Sequence, residues 1–311
     1  MNDLSDGRLG MIAYRSSNPF EFSHILRRVE DAPAQRVFGC LLWPEHAQTP
    51  APAIVACHGS MGWRGHHHEH MVHALEQGIA VFRVHSFEAR QVQSIVEDQM
   101  AVTAAMLLAD AYGALEKLVS HPDIDSARIG VTGWSLGGTV ALYSAHEPLR
   151  EALVGEQGPR FAAHLPLYPA AHVRPEDKRW SPSPIRVLHG AADDYTPVRF
   201  VEELAEDVRT GGGQIEIRSY ADGHHSFDSV EPLTWLPDAV RLGRKNLTLA
   251  TNGDMFFTSS DGTRHSIAEP EERRESFEKA NIRGAHIGGN WDARRQGFAD
   301  ADAFWKEHLL P

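Results

Sequence analysis

Arg128-Ile129-Gly130-Val131-Thr132-Gly133-Trp134-Ser135-Leu136-Gly137-Gly138-Thr139-Val140-Ala141-Leu142 is the stretch that decides how this chain folds. Arg128–Thr132 reads as a short buried strand, and the residues from Gly137 to Ala145 read as a helix. Between them Ser135 has a glycine two residues away on either side. A serine in so tight a strand-to-helix turn must adopt a strained backbone, and the glycines let strand and helix approach closely around it. The helix then aims its free N–H groups and the positive end of its dipole at the serine. A bare Gly-x-Ser-x-Gly recurs by chance. Strand before, helix after and the additional Gly138 make Ser135 a candidate nucleophile.

Outward from this turn, strand-like runs alternate with helical patterns. The strands predicted are Arg36–Leu42, Ala53–Cys57, Ile79–Val84, Ala162–Leu167, Ile185–His189 and Gln214–Tyr220. The helices are His67–Gln77, a long one from about Ile95 to Ser120 opened by the Ser94/Glu97 capping pattern, and Arg199–Arg209. Several strands are nearly continuous in apolar residues, as strands covered on both sides must be. The expected architecture is α/β, a mostly parallel central sheet with helices on both faces. Residues 1–34 read as an irregular lead-in and 35–311 as a single domain. Within it, 228–290 form an insertion in which Asn252-Gly253 and Asp261-Gly262 mark hairpin turns, before a closing helix near Ala299–Leu309.

A serine hydroxyl is a weak nucleophile at neutral pH and needs a base held by a carboxylate. Asp193 and Asp194 follow the strand Ile185–His189, with Pro197 at the start of the next helix, and compete for the acid. His225 and His224 follow the strand Gln214–Tyr220 and compete for the base; His286 has no clear strand leading into it. The backbone N–H of Leu136, and that of Ser60 in His58-Gly59-Ser60-Met61-Gly62 after the strand Ala53–Cys57, are the candidate oxyanion donors, with Met61 the neighbour of Ser60.

Composition narrows the alternatives. In 311 residues, 42% are hydrophobic and 23% charged, enough for a large core. The formal net charge of −12 and the absence of a basic run argue against nucleic acid or an anionic membrane surface as a partner. The two cysteines, Cys40 and Cys57, sit in apolar runs and make no disulfide framework. No secretion signal or membrane-spanning run is visible, so a cytoplasmic protein is expected.

Four pieces together resemble the dienelactone hydrolase family of the α/β-hydrolase superfamily. They are His58-Gly59-Ser60-Met61-Gly62, Gly133-Trp134-Ser135-Leu136-Gly137-Gly138, Gly190-x-x-Asp193-x-x-x-Pro197 and His225-Ser226-Phe227. The likeness covers about residues 35–230. It implies an α/β-hydrolase fold with a C-terminal hairpin and helix extension, and a triad of Ser135, Asp193 and His225, because the family's acid stands three residues after the glycine and its base two before the phenylalanine. The founding enzymes look to use a cysteine nucleophile and an oxyanion-loop glutamate. Ser135 and Gly59 stand there in this chain, which resembles the serine-type branch. Ala89-Arg90-Gln91 matches a segment whose arginine binds a substrate carboxylate; the second such arginine has no match, with Ser229 in its region.

The expectation is therefore a hydrolase of a carboxylic ester or lactone, needing no cofactor and no metal, with Met61, Trp134, Arg90 and Tyr195 as substrate contacts and a small molecule as partner. A homodimer is compatible with it. Amide or thioester hydrolysis by the same triad is the nearest alternative, and a catalytically silent binder a third. From another class, His66-His67-His68-Glu69-His70 and His73 invite a metal site, since His66 and His70 share a helix face. Beside a complete serine set, these histidines are expected instead to be partly exposed residues near the pocket mouth.

Overall fold

A computed structural model describes residues 3–242 and 246–310; residues 243–245, within the C-terminal insertion, lie outside the described residues. In chain order the elements are β1 (Gly10–Ser17), α1 (Phe22–Arg28), β2 (Ala34–Leu42), β3 (Ala51–Cys57), α2 (Gly65–Glu76), β4 (Ala80–Val84), α3 (Ala104–Val119), β5 (Ile124–Trp134), α4 (Leu136–Tyr143), α5 (Glu147–Val154), β6 (Ala163–Leu167), β7 (Val173–Pro175), β8 (Pro184–Gly190), α6 (Arg199–Thr210) and β9 (Gln214–Tyr220). The extension follows: β10 (Thr234–Leu242), β11 (Leu247–Leu249), β12 (Met255–Thr258), β13 (Arg264–Ser266), α7 (Pro270–Ala280), β14 (Asn281–Ile287) and α8 (Trp291–His308).

The main sheet has eight strands in the order β1-β2-β4-β3-β5-β6-β8-β9. Only β2 runs against the rest: it pairs antiparallel with both β1 and β4, and the pairings from β4 to β9 are parallel. Alternate residues of the central strands enter two separate cores. Ala53, Val55 and Cys57 of β3 and Phe82 and Val84 of β4 pack on the α3, α4 and α6 side. Ile54, Ala56 and Val81 pack on the α2 and α8 side. This period of two is why both faces of these strands must be apolar, and it accounts for the unbroken hydrophobic runs. Among the described residues no helix is long and apolar enough to cross a membrane.

Two sequence expectations need correction. Residues 1–34 are not an irregular lead-in. Gly10–Ser17 adds an edge strand whose Ile12 and Tyr14 are buried, and Tyr14 bonds the Asp110 carbonyl on α3. An edge strand half-facing solvent carries a mixed pattern that does not stand out. Nor does the long helix begin at Ile95. Thr103 caps it, accepting from Met106 N–H, while Gln91 and Gln99 are left-handed. Ile95 N–H bonds the Ser60 carbonyl and Val240 N–H bonds the Val96 carbonyl, so tertiary hydrogen bonds override the helical periodicity there.

The extension forms hairpins at both turns read from the sequence, β11–β12 and β12–β13, and β11 adds in parallel to β7. A separate ribbon pairs β10 with β14.

Candidate active site

Ser135 sits between β5 and α4 at φ 55°, ψ −110°, a conformation that costs a non-glycine residue on the order of 1–3 kcal/mol. Its neighbours enforce it. A Cβ on Gly133 would lie 2.3 Å from the Gly137 carbonyl, and one on Gly137 would lie 2.0 Å from the Cys57 carbonyl. A Cβ on Gly138 would meet the Leu167 carbonyl at 2.3 Å. The turn is thus wedged between β3 and β6, and Ser135 N–H bonds the Leu167 carbonyl.

Asp193 and His225 arrive from the ends of β8 and β9. Ser135 Oγ donates to His225 Nε2 at 2.9 Å, and His225 Nδ1 donates to Asp193 Oδ2 at 2.8 Å. Both partners are buried. Asp193 Oδ1 accepts the backbone N–H groups of Tyr195 and Thr196, each at 2.8 Å, and the Thr196 hydroxyl lies 3.0 Å from Oδ2. Burial works to raise the Asp193 carboxyl's pKa, but His225 and these hydrogen bonds outweigh it and hold it below the usual range. The imidazole of His225 is wedged between the rings of Tyr168 and Tyr195, at 4.8 and 4.7 Å between centroids. With one nitrogen committed to the carboxylate, the other presents its lone pair to the serine.

The competing residues pair with each other instead. Asp194 accepts His286 N–H and His286 Nδ1, both at 2.9 Å, and the ring of His224 faces that of His286. Gly288 N–H bonds the His225 carbonyl, so the end of β14 braces the histidine loop.

In the loop after β3, Gly62 N–H donates to the Gly59 carbonyl at 3.0 Å, folding Ser60 and Met61 into a tight turn. A Cβ on Gly59 would come within 3.2 Å of the Trp134 carbonyl and 3.6 Å of Ser135 Cβ, which shows how near this backbone runs. Two cavities meet at the serine. One, of about 140 Å³, is lined by Ser60, Ser135, Leu136, Tyr195 and a largely apolar wall. The other, of about 40 Å³, is lined by Met61, Trp134, Tyr195, His225 and polar groups including Arg64 and Glu231.

Arg90 is in neither. Its guanidinium is buried, bonding both Asp110 oxygens at 2.7 and 3.0 Å, the Ser86 carbonyl and Asn18. The expectation of a substrate contact there is corrected: a fully buried carboxylate on α3 requires that cation, and the guanidinium's other bonds go to Ser86 and Asn18.

The histidine run also differs from expectation, for His66, His67 and His70 are buried rather than partly exposed. They point at different partners. His66 Nε2 donates to Tyr168 Oη at 3.2 Å, and His67 Nδ1 accepts the N–H of Arg64 to cap α2. His70 Nε2 donates to Asp228 Oδ2 at 3.1 Å, and His73 pairs with Asp302. Among the described residues no three His, Cys, Asp or Glu groups are arranged to hold a metal ion. Asp228, which also accepts the Tyr168 hydroxyl at 2.9 Å, is fully buried; burial would raise its carboxyl, but His66, His70 and Tyr168 hold it down to about 2. Sequence reasoning missed Tyr168, Thr196 and Asp228. Their only signal is position, at the end of β6 and within the two loops that carry the acid and the base.

The dienelactone hydrolase family matches residues 38–234. A protein of Methylorubrum extorquens provisionally named carboxymethylenebutenolidase is 29% identical over 50% of this chain and 54% of its own length, so the chain spans about half of that relative. Among solved structures, a provisionally named dienelactone hydrolase of Klebsiella pneumoniae covers 96% of this chain and 99% of its own, at 15% identity and a TM-score of 0.55. An esterase of Thermogutta terrifontis with butyrate bound covers 65% of this chain and 84% of its own, at 18% identity and a TM-score of 0.50. At such identities these two structures speak to the fold.

Proposed function

Because the chain belongs to the dienelactone hydrolase family, we propose that it hydrolyses a carboxylic ester or lactone through an acyl-enzyme. The observation that carries this reading is the unbroken relay from Ser135 Oγ through His225 to Asp193, at 2.9 and 2.8 Å. Ser135 Oγ attacks the substrate carbonyl as its proton passes to His225 Nε2. Asp193 holds the imidazole in the tautomer that can accept and stabilises the imidazolium that results. The negative oxygen of the tetrahedral intermediate faces the N–H groups of Leu136 and Ser60, which in the described structure donate to no other backbone carbonyl. Collapse returns the proton from His225 to the departing alkoxide, which leaves as the alcohol. Water, deprotonated by the same histidine, then attacks the acyl carbonyl, releasing the acid and restoring the serine hydroxyl. In a lactone the alcohol and acid remain one molecule.

Arg90 is occupied by Asp110, so a carboxylate-bearing dienelactone has no guanidinium from that segment to bind it. A plain ester or lactone is the better candidate. A fluorophosphonate probe tests the reading: mass analysis should find the phosphonyl group on Ser135, and Ser135→Ala should stay folded and neither label nor hydrolyse short esters. Full activity in that variant would refute the assignment.

A further inference from the structure

The two cavities at Ser135 differ in which member of the relay they contain, and that difference assigns the two halves of a substrate. His225 lines the smaller cavity and is absent from the wall of the larger one among the described residues. The leaving alkoxide must take its proton from His225, so the alcohol half has to lie on the histidine side. The acyl half remains for the larger cavity, which reaches Ser135 past Leu136, one of the two amides assigned to the carbonyl oxygen; Ser60, the other, lines both cavities. Resting on the function proposed above, we propose that the enzyme selects esters of a medium-length apolar carboxylic acid with a small, hydrophilic alcohol.

The walls fit each half. Phe22, Val102, Val173, Leu247, Met255 and Ile267 surround the larger cavity, so helix α1, the loop before α3 and the extension each supply part of it. Two of the polar groups in this wall are spent on bonds within the protein: the Thr139 hydroxyl bonds the carbonyls of Ser135 and Ala170, and Glu21 is paired with Arg273. At about 10–15 Å³ per water-sized group, 140 Å³ takes on the order of ten non-hydrogen atoms, a chain of roughly six to ten carbons. The smaller cavity, at about 40 Å³, takes only about three such groups, and its wall is polar: Arg64 and Glu231 form an ion pair there, and His66 and Tyr168 bond each other.

Two isomeric substrates isolate the assignment, because ethyl hexanoate and hexyl acetate have the same composition and nearly the same hydrophobicity. Ethyl hexanoate should have a kcat/KM at least about tenfold higher. Along the ethyl esters from acetate to dodecanoate, kcat/KM should climb by up to about fourfold per added methylene as each is buried, and level off near octanoate to decanoate. Ala170→Phe, which puts a ring into the larger cavity, should lower the hexanoate-to-acetate ratio at least tenfold, and Ala104→Phe does the same from another wall should the first variant not fold. Equal rates on the two isomers, a preference for hexyl acetate, or an unaltered ratio in a folded blocking variant would overturn the inference. Fluorophosphonate labelling separates the causes: an unlabelled Ser135 removes the underlying reading, whereas a labelled Ser135 with a flat acyl profile removes this inference alone.

Discussion

Replacing Asp193 by asparagine tests the relay most sharply, because the site dictates how the amide must sit. Asp193 Oδ1 accepts two backbone N–H groups at 2.8 Å, so the asparagine carbonyl must occupy that position. The opposite orientation would face an NH₂ group against two buried donors, leaving each unsatisfied at about 1–3 kcal/mol. In the favoured orientation the NH₂ points at His225 Nδ1, 2.8 Å away in the native site. The imidazole must then accept at Nδ1 and carry its proton on Nε2, the nitrogen facing Ser135. A base that already holds a proton there cannot take another from the serine. The expected fall in kcat is about 10⁴-fold, equivalent to about 5.5 kcal/mol of barrier, with KM altered only a few-fold. Asp194→Asn, whose carboxylate serves His286, should lose less than about tenfold. Steady-state hydrolysis of ethyl hexanoate by the two purified variants, with circular dichroism to verify folding, decides it. A loss below tenfold in Asp193→Asn, or a greater loss in Asp194→Asn, would refute the reasoning.

The buried Arg90–Asp110 pair predicts a stability effect rather than a substrate effect. Arg90→Met strands a fully buried carboxylate and should cost about 3–5 kcal/mol in urea unfolding, with KM for neutral esters nearly constant at temperatures where the variant is folded. A normal unfolding midpoint with an impaired KM would instead return Arg90 to substrate binding. Acid stability follows from the core histidines. Burial depresses His146 and His164 from 6.5 to about 4, so between those values the unfolded chain binds more protons than the native one. Their contribution is complete above pH 6.5 and is lost as pH falls toward 4, about 3 kcal/mol for each histidine. Urea midpoints should therefore drop steeply from pH 7 to 4.5; an unchanged midpoint over that window would contradict the burial argument.

The parallel sheet and the relay were legible in the sequence for a common reason. A strand covered on both faces must be apolar throughout, and a catalytic group at its carboxyl end must follow that run at once. Ser135, Asp193 and His225 each follow such a run, so order and spacing were enough to place each among the candidates. Choosing Asp193 over Asp194 needed more, since adjacent acids differ only in which way the turn points them. The walls of the cavity were not legible. Leu247 and Met255 lie on short strands and Ile267 just after one, and no local period reveals which of their side chains face a void. Buried His66 and His70 misled the reading because a run of histidines looks solvated until Tyr168 and Asp228 are placed beside it.

The same contacts show that the extension is not an appendage to a finished site. Gly288 N–H holds the carbonyl of His225, His286 holds the residue after the acid, and Val240 N–H holds the loop that bonds back to Ser60. The first ends on His225, the second on the residue after Asp193, and the third reaches Ser60 through Ile95. Ser135, Asp193 and His225 are fixed to the sheet by their strand ends, yet the histidine loop includes left-handed Ser226 and does not form part of a strand or helix. Bracing from β14 therefore supplies order that the sheet alone cannot give to His225. The extension also walls the larger cavity, through Leu247, Met255 and Ile267. On the function and the substrate assignment proposed above, a change in its sequence should act on catalysis and on acyl selection together, and the two effects separate only by substrate: a lost brace should slow every ester alike, whereas an altered wall should change the ratio between them.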